Sequence, residues 1–249
     1  MLKNIILFSL FLCNSLVAGD IKIAVAANVS YAIDDLKKEF NKLYPNTKVK
    51  VTLGSSGKLT AQITHGAPYQ LFMSANMKYP NALYKNKIAT TKPIVYAYGS
   101  LAFLSNKKQD FTKGIDFLKN KNIKKIAVAN PKTAPYGIAT KQALKNAGIY
   151  NDIKKKFVYG ESISQTVSYA VTAANIGFIA KSSLFSPKMS KYKKDINWVE
   201  VDTKLYTPIS QGIVILKKAK KNKEVKAFYT FMLSSKAKEI LNNYGYQTP

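Results

Sequence analysis

The sequence contains no arginine: all 39 of its basic residues are lysine, and with 13 acidic residues the formal net charge is +26. Arginine reads bases and phosphates through paired hydrogen bonds, so its absence argues against a nucleic-acid reader. The lysine excess predicts a soluble surface and a positive field that attracts small anions. Binding of an acidic polymer by lysine charge stays open as an alternative.

Cysteine and histidine are also nearly absent, with one residue of each. His65 stands alone at a predicted helix end, where capping explains it better than metal binding. A zinc site and a Ser-His-Asp triad are therefore not expected. The few carboxylates are scattered and form no evident acid–base pair. The composition thus predicts that the protein is not an enzyme.

No apolar run reaches the ~20 residues that a membrane-spanning helix needs. The first residues instead resemble a signal peptide, with Lys3 before an apolar run over 5–12 and small residues over 17–19. We predict a signal peptide over 1–19 and export of the mature chain. Lipid attachment through Cys13 is the alternative, although the preceding Leu12 stands where a small residue is expected.

Strand and helix patterns alternate along the mature chain. Residues 21–27, 47–53 and 69–75 read as strands with helices between them, which predicts a parallel sheet with right-handed crossovers. A long apolar strand is predicted over 94–104, a second α/β set follows it, and another long strand is predicted over 209–216. The fold class predicted is therefore α/β.

Two similar α/β sets with two long strands between them favour two lobes joined by a two-strand hinge. We expect the chain to cross between the lobes near Tyr96 and near Pro208. Lobe one would contain residues 20–96 plus 209–249, and lobe two residues 97–208. One continuous α/β domain is the alternative that periodicity leaves open.

Short polar turns separate a predicted strand from the next helix at four places. Helix N-termini leave backbone N–H groups unpaired, and these groups bind anions together with the helix dipole. In open α/β sheets such turns lie at the carboxyl edge, where ligands bind. Ordinary capping, for example by Ser30, explains any single turn, but four together suggest a cage of neutral donors. The turns span residues 26–30, 54–57, 134–137 and 161–164.

Several pieces of sequence carry a family resemblance. The most specific is Gly-Ala-Pro-Tyr-Gln-Leu-Phe-Met-Ser-Ala-Asn over 66–76, which follows the turn and helix start Gly-Ser-Ser-Gly-Lys-Leu over 54–59. Val-Ala-Ala-Asn over 25–28, Pro-Tyr-Gly over 135–137 and Tyr-Gly-Tyr over 244–246 add to it. The sequence resembles the periplasmic molybdate-binding proteins of ABC uptake systems, through nearly the whole mature chain.

The resemblance implies a type II periplasmic binding protein fold with two Rossmann-like lobes. It implies capture of molybdate, and of tungstate, in the periplasm for an inner-membrane ABC permease. The implied ligand-binding groups are the side chains of Asn28 and Ser56 from lobe one and the backbone N–H groups of Tyr136 and Ile163 from lobe two. It implies no cofactor, no metal bound except within the oxyanion, no nucleic acid and a monomer.

One position departs from the family pattern. Some members add a tyrosine hydroxyl where this sequence has Ala180, and Tyr136 is the candidate that compensates for it. Three alternatives to a molybdate site remain: a site for another tetrahedral oxyanion such as sulfate or phosphate, a lysine-rich module that binds acidic polymers, and a hydrolase that uses Ser56.

Overall fold

The computed structural model describes residues 19–249, so the predicted signal peptide and Cys13 lie outside the described part, apart from Gly19. None of the helices within 19–249 combines the length and the apolar character that crossing a membrane requires. The described chain forms two five-stranded sheets with helices packed against them.

The helices and strands alternate through most of the chain. The strands are β1 (Asp20–Ala26), β2 (Lys48–Gly54), β3 (Leu71–Ser74), β4 (Ile94–Gly99), β5 (Leu101–Leu104), β6 (Ile126–Ala129), β7 (Phe157–Gly160), β8 (Ile176–Ala180), β9 (Trp198–Glu200) and β10 (Ile209–Ile215). The helices are α1 (Ile33–Leu43), α2 (Ser56–Thr64), α3 (Lys78–Lys85), α4 (Pro135–Asn146), α5 (Tyr150–Ile153), α6 (Ile163–Thr172), α7 (Lys223–Met232) and α8 (Ser235–Asn243). Short 3-10 turns lie between several of them.

The two sheets repeat one plan. The first has the order β2-β1-β3-β10-β4, and the second has the order β7-β6-β8-β5-β9. In the first, β1 runs parallel to β2 and β3, while β10 is antiparallel to both of its neighbours. In the second, β6 is parallel to β7 and β8, and β5 is antiparallel to its neighbours. The predicted α/β class with two parallel cores is confirmed.

The predicted long strand over 94–104 is two strands in different sheets. β4 ends at Gly99 in the first sheet, and β5 begins at Leu101 in the second. Apolar residues continue across this change of sheet, so the hydrophobic pattern does not mark it. The lobe limits proposed from sequence remain a prediction. Residues 97–99, assigned there to lobe two, belong to β4 and so to the first sheet.

The first of the four predicted turns is not an α-helix start. Residues Ala27–Tyr31 form a 3-10 helix directly after β1, and α1 begins only at Ile33. Ser30 therefore does not cap α1; the capping position is Ala32, which makes no side-chain cap bond. The other three turns lead into α2, α4 and α6, as the sequence indicates.

Each sheet contributes to its own aromatic core. In the first lobe, Phe40 of α1 packs edge-to-face on Phe228 of α7 with ring centroids 5.0 Å apart. In the second, Phe103 of β5 contacts Phe178 of β8 at 4.8 Å and Phe117 at 5.1 Å. These contacts join α1 to α7 in the first lobe, and β5 to β8 and to the 3-10 turn that contains Phe117 in the second.

Replacing Phe40 with alanine should lower the free energy of unfolding by about 3–5 kcal/mol, since the ring is fully buried and leaves a cavity. The matched control is Leu43→Ala on the same helix, where the side chain is 67% exposed and the change should stay within about 0.5 kcal/mol. Urea unfolding followed by circular dichroism measures both. Equal losses in the two variants would contradict the assignment of this core.

Candidate functional site

One small cavity between the two lobes brings together the four residues predicted from sequence. Asn28, Ser56, Tyr136 and Ile163 all line it, and the space that the centre of a water molecule can reach within it is about 10 Å³. The other lining residues are small or apolar: Ala26, Ala27, Gly54, Ser55, Ala75, Ala134 and Pro135. No charged side chain lines this cavity, so a bound anion would be held by neutral dipoles.

Ser56 opens α2 directly after the turn that follows β2, and it is fully buried. Its Oγ accepts a hydrogen bond from the backbone N–H of Ala75 at 2.9 Å. A serine hydroxyl has one proton to donate besides its acceptor lone pairs. Because Ala75 fixes the oxygen as an acceptor, the hydroxyl proton remains available for a ligand in the cavity.

The second lobe presents backbone N–H groups at two helix starts. Pro135 occupies the first position of α4 and has no N–H, so Tyr136 supplies the first donor of that helix. Ile163 is the first residue of α6. N–H groups in a first helical turn have no partner within the helix, and neither group donates a turn or cap bond in the described chain. Both are therefore free to donate to an anion.

Asn28 lies in the 3-10 turn after β1 and is 1% exposed. Its Nδ2 donates to Gln211 Oε1 at 2.7 Å and to the Tyr246 hydroxyl at 2.9 Å. Its Oδ1 has no partner in the described structure. The residue thus lies where the sequence predicts, but the NH₂ group expected to face the ligand is bonded inside the protein.

The Tyr136 hydroxyl lies at the chain crossing between the sheets. A methyl group on Gly99 would come within 2.1 Å of this hydroxyl, so only glycine leaves room for it. Burial raises the pKa of Tyr136 well above its usual value, which keeps the hydroxyl protonated. Ala180 is fully buried in β8. Alanine at this position lacks the hydroxyl donor that some family members have there, and the idea that Tyr136 replaces this donor stays a prediction.

Contacts across the cavity hold the two lobes together. The backbone N–H of Gly57 donates to Thr133 O at 2.9 Å, and Ser182 Oγ donates to Asn28 O at 3.2 Å. Lys58 and Glu161 form an exposed ion pair at 3.2 Å near the same opening, which adds little in water. These contacts bring the two lobes together around the cavity, which stays partly open to solvent.

A metal centre would need several ligating side chains close together. Within 19–249, no group of three or more His, Cys, Asp or Glu side chains lies close enough to hold a metal ion. His65 ends α2 with its Nδ1 2.7 Å from Ala61 O, in the capping role that the sequence indicates. The neutral cavity is therefore the candidate site that these residues support.

Sequence reasoning did not identify the residues behind Asn28. Gln211 of β10 and Tyr246 near the C-terminus both bond the Asn28 side chain, and the Tyr96 hydroxyl donates to Gln211 Oε1 at 3.0 Å. The available signals were a glutamine in the mostly apolar strand Ile209–Ile215 and the Tyr-Gly-Tyr piece over 244–246. A buried glutamine needs partners, but the sequence does not say which residues supply them.

Buried tyrosines around the site predict a loss of stability in alkali. Burial raises the pKa of both Tyr31 and Tyr246 to about 12, from 10.0. The unfolded chain releases these protons first, so this stability is complete below pH 10 and is lost as the pH rises towards 12. Each tyrosine should contribute on the order of 2 kcal/mol. Urea unfolding between pH 8 and 12 measures the loss. If the free energy of unfolding falls with pH as steeply in Tyr246→Phe as in the native protein, the loss does not come from Tyr246.

Comparison with known proteins places this chain in a family. A family model described as bacterial extracellular solute-binding protein matches residues 21–247. The molybdate-binding protein ModA of Azotobacter vinelandii is 35% identical over 232 residues, covering 92% of this chain and 90% of that protein. ModA of Rhodobacter capsulatus is 33% identical, covering 93% and 89%. The solved periplasmic molybdate-binding protein of Azotobacter vinelandii has a TM-score of 0.84 at 30% identity, covering 92% of this chain and 99% of that one. The chain therefore belongs to the bacterial extracellular solute-binding protein family.

Proposed function

We propose that this protein binds molybdate, with tungstate as a second ligand, and delivers it to an ABC permease of the inner membrane. The observation that carries the proposal is the small cavity between the lobes, which is lined by neutral donors and by no charged side chain. Relatives named as molybdate-binding proteins, at 33% and 35% identity over most of the chain, support this ligand.

The chemistry of the cavity suits an anion that carries no proton. Such an anion only accepts hydrogen bonds, and the Ser56 hydroxyl and the N–H groups of Tyr136 and Ile163 only need to donate. Two of these donors lie at helix starts, where the dipole also favours negative charge. Closure removes water from the site, which strengthens each of these interactions. Selection against sulfate would then depend on cavity size, because the two anions have the same charge and shape.

We further propose that the protein acts by binding alone, without catalysis or a cofactor, as a periplasmic monomer. The matching family is described as extracellular, which supports a site of action outside the cytoplasm. The hydrolase alternative is weakened at Ser56, since no histidine or carboxylate lines the cavity to activate its hydroxyl.

Calorimetric titration with molybdate, tungstate and sulfate tests the proposal. We expect molybdate and tungstate to bind tightly and sulfate to bind weakly or not at all. Either ligand, at a thousandfold excess over its Kd, should stabilise the protein against unfolding by roughly 4 kcal/mol. Equal affinity for sulfate would overturn selection by cavity size.

Salt separates this function from the lysine-rich polymer alternative. A buried site with neutral donors should lose little molybdate affinity between 0.1 and 0.5 M chloride, beyond the general screening of the surface field. Binding of polyphosphate or heparin to surface lysines should weaken steeply over the same range. Molybdate binding that falls as steeply as polymer binding would favour the surface over the cavity.

Ser56→Ala should weaken molybdate binding by roughly 1.5–3 kcal/mol, the cost of losing a hydrogen bond to a charged group. Ser55→Ala is the matched control, because Ser55 lines the same turn and makes no side-chain cap bond. Titration of both variants gives the ranking. A larger effect of Ser55→Ala would place the donor one residue earlier in the turn.

A further inference from the structure

A buried network of side chains lies directly behind the cavity. Asn28 Nδ2 donates to Gln211 Oε1 and to Tyr246, and the Tyr96 hydroxyl donates to the same Gln211 oxygen. The Tyr246 hydroxyl in turn donates to the backbone oxygen of Asn28 at 2.9 Å. Asn28, Gln211 and Tyr96 are 1% exposed or less, and Tyr246 is 4% exposed. The network thus joins the site to the strands that lead towards the second lobe.

Three atoms in or beside this network have no partner. They are Asn28 Oδ1, Gln211 Nε2 and the Tyr136 hydroxyl, which are the buried side-chain polar atoms without a hydrogen bond in the described chain. A methyl on Gly99 would lie 2.1 Å from the Tyr136 hydroxyl and 2.9 Å from Gln211 Nε2, so these two atoms lie near one another. A buried polar atom without a partner is costly, and three clustered together call for one common explanation.

The Asn28 side chain, as it is oriented, also offers the ligand the wrong group. Asn28 lines the cavity, but both protons of its side-chain amide are donated to Gln211 and Tyr246. Its Oδ1 is the polar atom of this side chain that has no partner. An oxygen acceptor repels an unprotonated oxyanion. The carboxamide becomes a donor to that anion only if it turns over, and Gln211 Oε1 then has to give way to a donor, since two carbonyl oxygens cannot bond one another.

Resting on the proposed function, we propose that Gln211 is a positioning residue whose carboxamide turns over together with that of Asn28 when the oxyanion binds. After both rotations, Gln211 Nε2 donates to Asn28 Oδ1, and the Asn28 NH₂ group faces the anion. Gln211 Oε1 then turns towards the Tyr136 hydroxyl, whose proton has no acceptor in the described structure. One coupled rotation thus gives a use to all three unpaired atoms.

The rest of the network can follow this exchange. The backbone oxygen of Asn28 also accepts a hydrogen bond from Ser182 Oγ, at 3.2 Å. This oxygen therefore keeps one donor if the Tyr246 hydroxyl turns to donate to Asn28 Oδ1 instead. The Tyr96 hydroxyl changes from donor to acceptor, towards Gln211 Nε2. Burial raises the pKa of Tyr96 well above its usual value and that of Tyr246 to about 12, so both hydroxyls keep their protons throughout.

A double-mutant cycle on anion affinity tests the coupling. Gln211→Met keeps the size of the side chain and removes the donor; in the otherwise native protein it should weaken molybdate binding roughly tenfold. In an Asn28→Ala background, Gln211→Met should change affinity less than about twofold, because Gln211 acts through Asn28. Tyr96→Phe is the matched control: it removes another bond to Gln211 and leaves the carboxamide pair, so it should stay within about threefold of the native affinity.

A second measurement reports the rotation itself. In ¹⁵N-labelled protein, the side-chain amide resonances of both Asn28 and Gln211 should shift on addition of molybdate, and in Asn28→Ala the Gln211 resonance should shift far less. A merely structural role for Gln211 predicts equal affinity losses in both backgrounds and an unmoved Gln211 amide. Either of these results overturns the proposal.

Comparing different anions distinguishes a failure of the proposed function from a failure of the coupled rotation. If the protein binds sulfate rather than molybdate, the proposed function fails, and the cycle is run with sulfate, with the same outcomes expected. If phosphate carrying a proton binds more tightly than either, that proton donates to Asn28 Oδ1 as it stands, and the coupled rotation is overturned.

Discussion

A doubly charged anion can leave water only where hydrogen-bond donors replace its hydration shell, and this requirement explains the arrangement of the whole site. Buried charge without such compensation is very costly. The donors here are a serine hydroxyl and N–H groups at helix starts, which need no ionised side chain. Helix starts follow the carboxyl ends of parallel strands, so two sheets of similar order can bring such groups to one cavity.

Two sheets alone would leave this cavity open, and the connections between them decide how it closes. The chain passes from β4 to β5 through one residue, Ser100, and returns between β9 and β10. Gly99 stands at the first passage and leaves space for the Tyr136 hydroxyl of the second lobe. The ligand site and this passage therefore share the side chain of Tyr136.

Much of this arrangement was predictable from sequence because it follows from local patterns. Alternating strands and helices specify parallel sheets, and polar turns after those strands specify where helix starts meet; Ser56, Tyr136 and Ile163 come together for that reason. The hydrogen bonds behind Asn28 were not predictable, because they join residues 183 and 218 positions apart along the chain. The sequence predicts a crossing near Tyr96, whereas the change of sheet comes after Gly99; the apolar pattern of both strands does not locate it more closely. Ser30 was wrongly expected to cap α1, because a 3-10 turn precedes that helix.

The bond between Gly57 and Thr133 has a consequence for how freely this sequence can vary. Both partners are main-chain atoms, so the side chain at 133 takes no part in the bond, while position 57 tolerates no Cβ: one would lie 2.9 Å from Thr133 O and 2.7 Å from the Tyr79 hydroxyl. The side chain at position 133 can therefore change without altering this main-chain bond, whereas position 57 has to stay glycine for the two halves to keep their spacing. For this bond, the restriction on sequence falls on position 57 alone.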